Sequence, residues 1–200
     1  MKVVLATKNL HKIKEILEIW GEVSFQVLTL KDFENFPSVE ENGSTFAENA
    51  LKKARAVAEF TQLISISDDS GIEVEGLQGF PGIYSARYAG EGASDEENNQ
   101  KLMQALKDYP LNSPARQARF RCVAALVDPQ GFEMSTEGIV EGKILETPQG
   151  KEGFGYDPLF WREKEQKTTA ALSAHEKHAI SHRGQAFRKI KEILLNKLSI

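Results

Sequence analysis

Four short stretches of this sequence carry residue types and spacings that could do chemistry. The first is TKNLHK, Thr7 to Lys12, directly after the apolar run Val3 to Ala6. Loops at the carboxyl end of a sheet strand are where α/β proteins bind ligands. A helix that follows adds N–H donors and a dipole favourable to anions. Lys8 and Lys12 bring charge, and Thr7 and Asn9 bring neutral donors. The loop holds no glycine, so it is neither a Walker A loop nor a GxGxxG fingerprint. It offers phosphate binding, against the plainer reading of a polar turn with solvated lysines.

The second stretch is acidic: Glu40 and Glu41, then Asp68 and Asp69 in SDDSG, which closes the strand-like run LISIS. Hard carboxylate oxygens suit Mg²⁺, which takes one or two carboxylates together with phosphate oxygens. Asp, Ser and Gly are also preferred turn residues, so a plain turn is the competing reading. Two adjacent aspartates repel unless a cation is near. The third stretch is GKEGFGYDPLF. Glycines at 150, 153 and 155 open the backbone around Phe154 and Tyr156, and an aromatic ring there is a platform for stacking a base. Asp157 could accept from a ring N–H. The alternative is a tight turn with Phe154 in the core. The fourth is SAHEKHAISHRGQ. His175, His178 and His182 have spacings of three and four, but no cysteine or matching acid completes a zinc set. Lys177, His182 and Arg183 near a helix start suit a carbonyl-bearing ligand, or else a charged surface cap.

The elements that must position these groups follow from periodicity. Val3 to Ala6 reads as a buried strand. Ile13, Ile16, Leu17 and Trp20 recur at helical spacing until Gly21, and SFQVLTL is a second strand. This β-α-β opening predicts a parallel pair. Thr45 and Glu48, Ser94 and Glu97, and Ser173 and Glu176 each have capping-box spacing. Phe46, Ala50, Ala54 and Val57 form a buried stripe, as do Leu102 and Leu106 in the helix after Ser94. ARFRCVAALV is a long strand, and MSTEGIVEGKIL is another, broken at Gly138 and Gly142. Ser181 can cap a last helix with the stripe Phe187, Ile190, Ile193 and Leu194. The reading is one α/β unit with a mixed sheet, a single domain over residues 1–200.

Composition narrows the function classes. The chain has 200 residues, 40% hydrophobic and 27% charged, which is ordinary globular usage. Its net charge of −4 argues against a broad grip on nucleic acid. No apolar run has the length of a membrane helix, and MKVVLAT is too short for a signal peptide core. One cysteine, Cys122, lies in the apolar run CVAALV and reads as a buried inert thiol. A cytoplasmic protein is expected, with no nucleic-acid or membrane partner.

In this order, ATKNLHKIKE, EENGSTFAENALKKA, SDDSG, PGIYSARYAG, GFGYDPLF and AISHRGQA resemble the inosine triphosphate pyrophosphatase family over essentially the whole chain. The resemblance implies a long twisted mixed sheet flanked by helices, with two lobes and a central cleft, and a homodimer. It implies Mg²⁺-dependent hydrolysis of non-standard purine nucleoside triphosphates, dITP, ITP and XTP or dXTP, to monophosphate and diphosphate. By the same resemblance, Thr7, Lys8, Asn9, Leu10, His11, Lys12 and Lys53 hold phosphate. Asp69 is catalytic proton acceptor and metal ligand, Ser70 touches substrate, and Glu40 or Glu41 is the second acidic ligand. Phe154, Gly155, Tyr156, Asp157, Lys177, His182 and Arg183 form the base side. Lys8 departs from the pattern, because many members carry glycine there. Two rivals are a septum-inhibitor type nucleotide pyrophosphatase acting on pyrimidine or modified triphosphates, and a nucleotide-binding module that does not hydrolyse.

Overall fold

Val3, Val4 and Leu5 are fully buried, as β-branched and aliphatic residues in an interior strand should be. A computed structural model, which describes residues 1–37 and 39–198, places them in strand Lys2–Leu5 (β1). The other strands are Gln26–Thr29 (β2), Ile64–Val74 (β3), Gln117–Val127 (β4), Glu133–Ile144 (β5), Phe160–Arg162 (β6) and Lys167–Thr168 (β7). They form one seven-stranded sheet in the order β2-β1-β3-β4-β5-β6-β7. β1 is parallel to β2 and β3, whereas β6 is antiparallel to β5 and β7. The sheet is therefore mixed, as the sequence predicts. The α-helices are Leu10–Trp20 (α1), Phe46–Thr61 (α2), Asp95–Ala105 (α3), Ala174–Ile180 (α4) and His182–Leu198 (α5). None of the described helices is long and apolar enough to cross a membrane.

The chain divides into two compact units. Unit 1 comprises residues 1–69, 122–138 and 183–200, and unit 2 comprises 70–121 and 139–182. The core of unit 1 joins Val3, Leu5, Ile16, Trp20, Ile64, Ile66, Cys122, Phe187, Ile190 and Leu194. Trp20 sits with its ring centroid 5.9 Å from that of Phe187, and its indole N–H donates to the Phe187 carbonyl at 2.9 Å. Burying a side chain of that size contributes about 1.5–3 kcal/mol. The core of unit 2 joins Ile72, Val74, Leu102, Leu106, Phe120, Val140, Ile144, Tyr156, Leu159 and Phe160.

Three local expectations need correction. SDDSG is not a turn, since β3 runs through it without a break from Ile64 to Val74. Neighbouring strands and the cations described below override the turn preference of Asp, Ser and Gly. The glycines at 138 and 142 do not break β5; at Gly142 a Cβ would lie 2.5 Å from the Trp161 carbonyl oxygen, so the close pairing with β6 requires the missing side chain. The Thr45 box is half made. Thr45 Oγ1 accepts from the Glu48 N–H at 3.1 Å, but the Glu48 carboxylate turns to the Ser44 N–H and hydroxyl. The boxes at Ser94 and Ser173 are complete.

Candidate active site

In unit 1 the chemistry is organised by the alternation of β3. Successive strand side chains point to opposite faces. Ile64 and Ile66 join the core with α1 and α5, and Asp68 continues that face. Asp68 Oδ2 lies 3.0 Å from Lys12 Nζ of α1 and 3.3 Å from an Arg183 guanidinium nitrogen of α5. Arg183 also pairs with Glu15 at 2.6 Å. Burial works to raise the Asp68 carboxyl's pKa, but Lys12, Arg183 and Lys53 outweigh it and hold the group far below the carboxylate range. The Cys122 thiol lies 3.8 Å from Asp68 Oδ2; burial first, and that carboxylate second, push its pKa far up. It is the inert thiol expected.

The other face of β3 carries Ser67, whose hydroxyl donates to the Ala50 carbonyl of α2, and then Asp69. Asn49 of α2 donates to Asp69 Oδ2 at 3.0 Å, and Lys53 Nζ lies 4.0 Å from Asp69 Oδ1 and 2.8 Å from Glu41. Burial raises the Asp69 carboxyl against the opposing effects of Lys53, Lys12 and Asn49. The adjacent aspartates thus occupy opposite faces, each with its own lysine, so the repulsion expected from packing them together does not arise. The loop before α2 is tied to the same helix. Asn49 Oδ1 accepts from the Gly43 N–H at 2.8 Å, and Lys52 donates to Asn42 at 2.5 Å. Residues 48, 49, 52 and 53 share one side of a helix with 3.6 residues per turn.

Asn9 caps α1, its side-chain oxygen accepting from the N–H groups of His11 and Lys12 at 2.9 and 3.1 Å. The Asn9 N–H in turn donates to Thr7 Oγ1 at 3.2 Å. Asn9 is thus an acceptor at the cap as well as a potential donor through its NH₂. Thr7 and Lys12 are half-buried, and Lys8, Asn9, Leu10 and His11 are exposed.

In unit 2 the turn at residues 153–157 is held by side chains. Asp157, 3% exposed, accepts from the Phe154 N–H at 2.8 Å, from Lys177 Nζ at 2.5 Å and from Thr169 Oγ1 at 2.8 Å. Lys177 Nζ stands 5.2 Å over the half-buried Phe154 ring. Gly153 has φ +78, and a Cβ there would meet Asp157 Oδ2 at 2.1 Å. His182 lies flat on Phe120, with ring centroids 4.8 Å apart.

The structure brings together Lys53, Glu41 and Asp69 on one face of β3 in unit 1. Lys12 stands against Asp68 on the other face, where its charge still opposes the rise that burial gives the Asp69 pKa. In unit 2 the structure brings together Phe154, Asp157 and Lys177. Glu41 meets Lys53, while the exposed Glu40 accepts from Asn42 at 3.2 Å. Ser70 is half-buried and opens the unit 2 part of β3. Gly155 lies in the turn at residues 153–157. Two residues sit apart from that grouping. Tyr156 belongs to the unit 2 core, and its hydroxyl donates to the Ser85 carbonyl at 2.8 Å. Arg183 belongs to unit 1 with Asp68 and Glu15, whereas His182 belongs to unit 2. Sequence reasoning passed over Asn49, Glu15 and the anchoring part of Asp68. A polar residue recurring inside the α2 stripe next to Ala50 was the available signal for Asn49.

Among the described residues no group of three or more His, Cys, Asp or Glu is arranged to hold a metal ion. Asp69 and Glu41, both against Lys53, are a two-carboxylate oxygen set. That set fits Mg²⁺ sharing its ligation with phosphate, and not a closed all-protein cage.

The Ham1 family profile matches residues 3–193. A dITP/XTP pyrophosphatase from Desulforamulus reducens is 49% identical over 200 residues, covering 100% of this chain and 98% of that one. One from Geobacter sulfurreducens is 48% identical, covering 96% of each. The HAM1 protein of Coxiella burnetii superposes with a TM-score of 0.88 at 40% identity, covering 98% of this chain and 99% of that one. With a fold shared over its whole length and relatives of this similarity, the chain belongs to the Ham1 family.

Proposed function

We propose that this protein is a Mg²⁺-dependent nucleoside triphosphate pyrophosphatase. It hydrolyses dITP, ITP and XTP or dXTP to the monophosphate and diphosphate. One observation carries the reading: a buried carboxylate, Asp69, with its pKa raised by burial, sits between the Asn49 amide and the Lys53 ammonium. The names of the similar proteins above support the substrate class.

Asp69 accepts a proton from water as its oxygen attacks the α-phosphorus, and diphosphate leaves. A carboxylate with a raised pKa is a better base than an exposed one. Lys12 and Lys53 stabilise the phosphates. Each ammonium has three donors, so Lys12 can keep Asp68 and Lys53 can keep Glu41 while donating to phosphate oxygens. Arg183 and Glu15 hold Asp68 in place as the anchor of Lys12. Asp69 and Glu41 would hold Mg²⁺, which would supply charge neutralisation at the phosphates.

Selectivity rests on Lys177, Phe154 and His182. A 6-oxo purine presents an acceptor to Lys177, whereas adenine presents an amino group to a donor. A site built for one hydrogen-bond pattern can discriminate by about 10⁴. Incubation with Mg²⁺ and a panel of triphosphates tests the reading. Diphosphate release from dITP and XTP far above dATP is expected. Release mainly from pyrimidine nucleotides, or binding without release, would refute it.

A further inference from the structure

The turn that carries Phe154 has almost no regular structure of its own. Gly153 and Gly155 both have positive φ, and the Asp157 carboxylate holds the Phe154 N–H but neither polar group of Gly155. The peptide at its apex is held from outside, by α3. Asp95, the first residue of that helix, accepts from the Gly155 N–H at 2.6 Å. Asn99, one turn on and 8% exposed, donates its NH₂ to the Gly155 carbonyl at 2.8 Å. Residues four apart on a helix share a face, so one face grips both polar groups of one residue. A carbonyl only accepts, so the Asn99 amide must turn its nitrogen toward it; Asn99 Oδ1 has no hydrogen-bond partner among the described residues. The amide is oriented by the turn alone.

α3 is fit for this task because both of its ends are fixed. Ser94 and Glu97 close a full capping box at its start. At its end the buried Arg116 donates to the Leu106 carbonyl at 2.9 Å, where a positive group also meets the negative end of the helix dipole.

We propose that Asp95 and Asn99 are positioning residues for base selection, setting where the Phe154 turn stands by clamping Gly155; this rests on the reading of that turn as the base side. A helix that merely packed against the turn would need no donor and acceptor matched to the two polar groups of one residue. Loss of the clamp therefore loosens the base end and leaves the phosphate chemistry in unit 1 intact.

The experiment compares Asn99→Asp, Asp95→Ala and Asp95→Asn with the unaltered protein. Asn99→Asp sets an acceptor against the Gly155 carbonyl at constant shape. Asp95→Ala removes the other half at an exposed position, so it keeps the test open if Asn99→Asp does not fold. Asp95→Asn still offers an oxygen to the Gly155 N–H and should rescue. Leu102→Val loosens the packing of the same helix while leaving both hydrogen bonds to Gly155 in place, and controls for stability. The expected result is a KM for dITP raised roughly tenfold in Asn99→Asp and Asp95→Ala, with kcat within about twofold. The dITP preference over dATP falls, and the Gly155 amide exchanges faster with solvent. Asp95→Asn and Leu102→Val keep the original KM ratio. Equal KM values and unchanged Gly155 exchange in the clamp variants overturn the proposal. So does a dITP preference that falls equally in Leu102→Val. If the unaltered protein hydrolyses no triphosphate, the proposed function fails by itself, and the exchange rate at Gly155 then decides whether α3 sets the turn.

Discussion

The two units hold their functional groups by different means. Unit 1 sets charge against charge: Asp68 with Lys12 and Arg183 on one face of β3, Asp69 with Lys53 and Asn49 on the other. Unit 2 has one such pair, Asp157 with Lys177, and otherwise sets side chains against backbone: Asp157 on the Phe154 N–H, and Asp95 and Asn99 on Gly155. The first arrangement suits a partner that is itself highly charged, because lysines already paired in the interior can share their protons with phosphate. The second suits a neutral, flat partner, for which the placement of one ring and a few donors matters more than field strength. If this contrast is right, unit 1 should break when a charge is removed at constant shape, and unit 2 when shape changes at constant charge.

Asp69→Asn is the largest expected effect on the unit 1 side. It keeps the shape and the Asn49 contact but removes the base. We expect kcat to fall by about 10³-fold, in the range for loss of a general base. The melting temperature should stay close to the original, measured by thermal unfolding beside a diphosphate-release assay. Near-full activity would remove Asp69 from the chemistry.

Arg183→Met comes next and is a stability test. It is nearly isosteric along the stem, yet it leaves Glu15 and part of Asp68 buried without their cation. Breaking a buried pair this way costs about 3–5 kcal/mol, and urea unfolding should show a loss near the lower figure because Lys12 still faces Asp68. The same substitution also separates two readings of Arg183. As an anchor of Lys12, its loss weakens dITP and dATP alike. As a base reader, its loss changes the ratio between them.

What could be read from the sequence, and what could not, follows the same contrast. The strand, loop and helix of residues 2–20 were legible because a buried apolar run is followed directly by apolar residues at helical spacing, and both signals are local. The continuation of β3 through Asp68 and Asp69 was not. Its local residues favour a turn, and the lysines, arginine and asparagine that reverse the preference lie up to 115 positions away. His182 and Arg183 look like one motif in a line of text. On α5, however, consecutive residues point about 100° apart, and these two belong to different units. Asn99 was illegible for a further reason: a buried asparagine on a helix has no periodic signature until its partners are known. The place of the Tyr156 side chain was open in the sequence because an aromatic beside glycines suits a core and a platform equally well; it lies in the unit 2 core.

Gly153→Ala tests unit 2 with a single methyl and no change of charge. The new Cβ would lie 2.1 Å from Asp157 Oδ2 and 3.0 Å from Lys177 Nζ, at a φ that L-residues resist. We expect a loss of about 2 kcal/mol, the range for strain at a special backbone position. The KM for dITP should rise more than kcat falls. A silent substitution would mean that the turn has room the structure denies it.

The smallest effect sharpens the comparison most, because it turns on two neighbouring, chemically identical side chains. Glu41 reaches Lys53, and through it shares the surroundings of Asp69. Glu40 is exposed and accepts from the Asn42 amide at 3.2 Å. Glu41→Gln removes one charge at constant shape from the lysine-carboxylate group. We expect kcat/KM for dITP to fall roughly tenfold, a loss that corresponds to about one good charged contact in the transition state. It should also raise the Mg²⁺ concentration needed for half-maximal rate. Glu40→Gln should change neither by more than about twofold, since an exposed charge in water contributes little. A titration of rate against Mg²⁺ for both variants decides it. The reverse order would show that Lys53 holds Glu41 only to shape the loop, and that the carboxylate working with Asp69 is its neighbour.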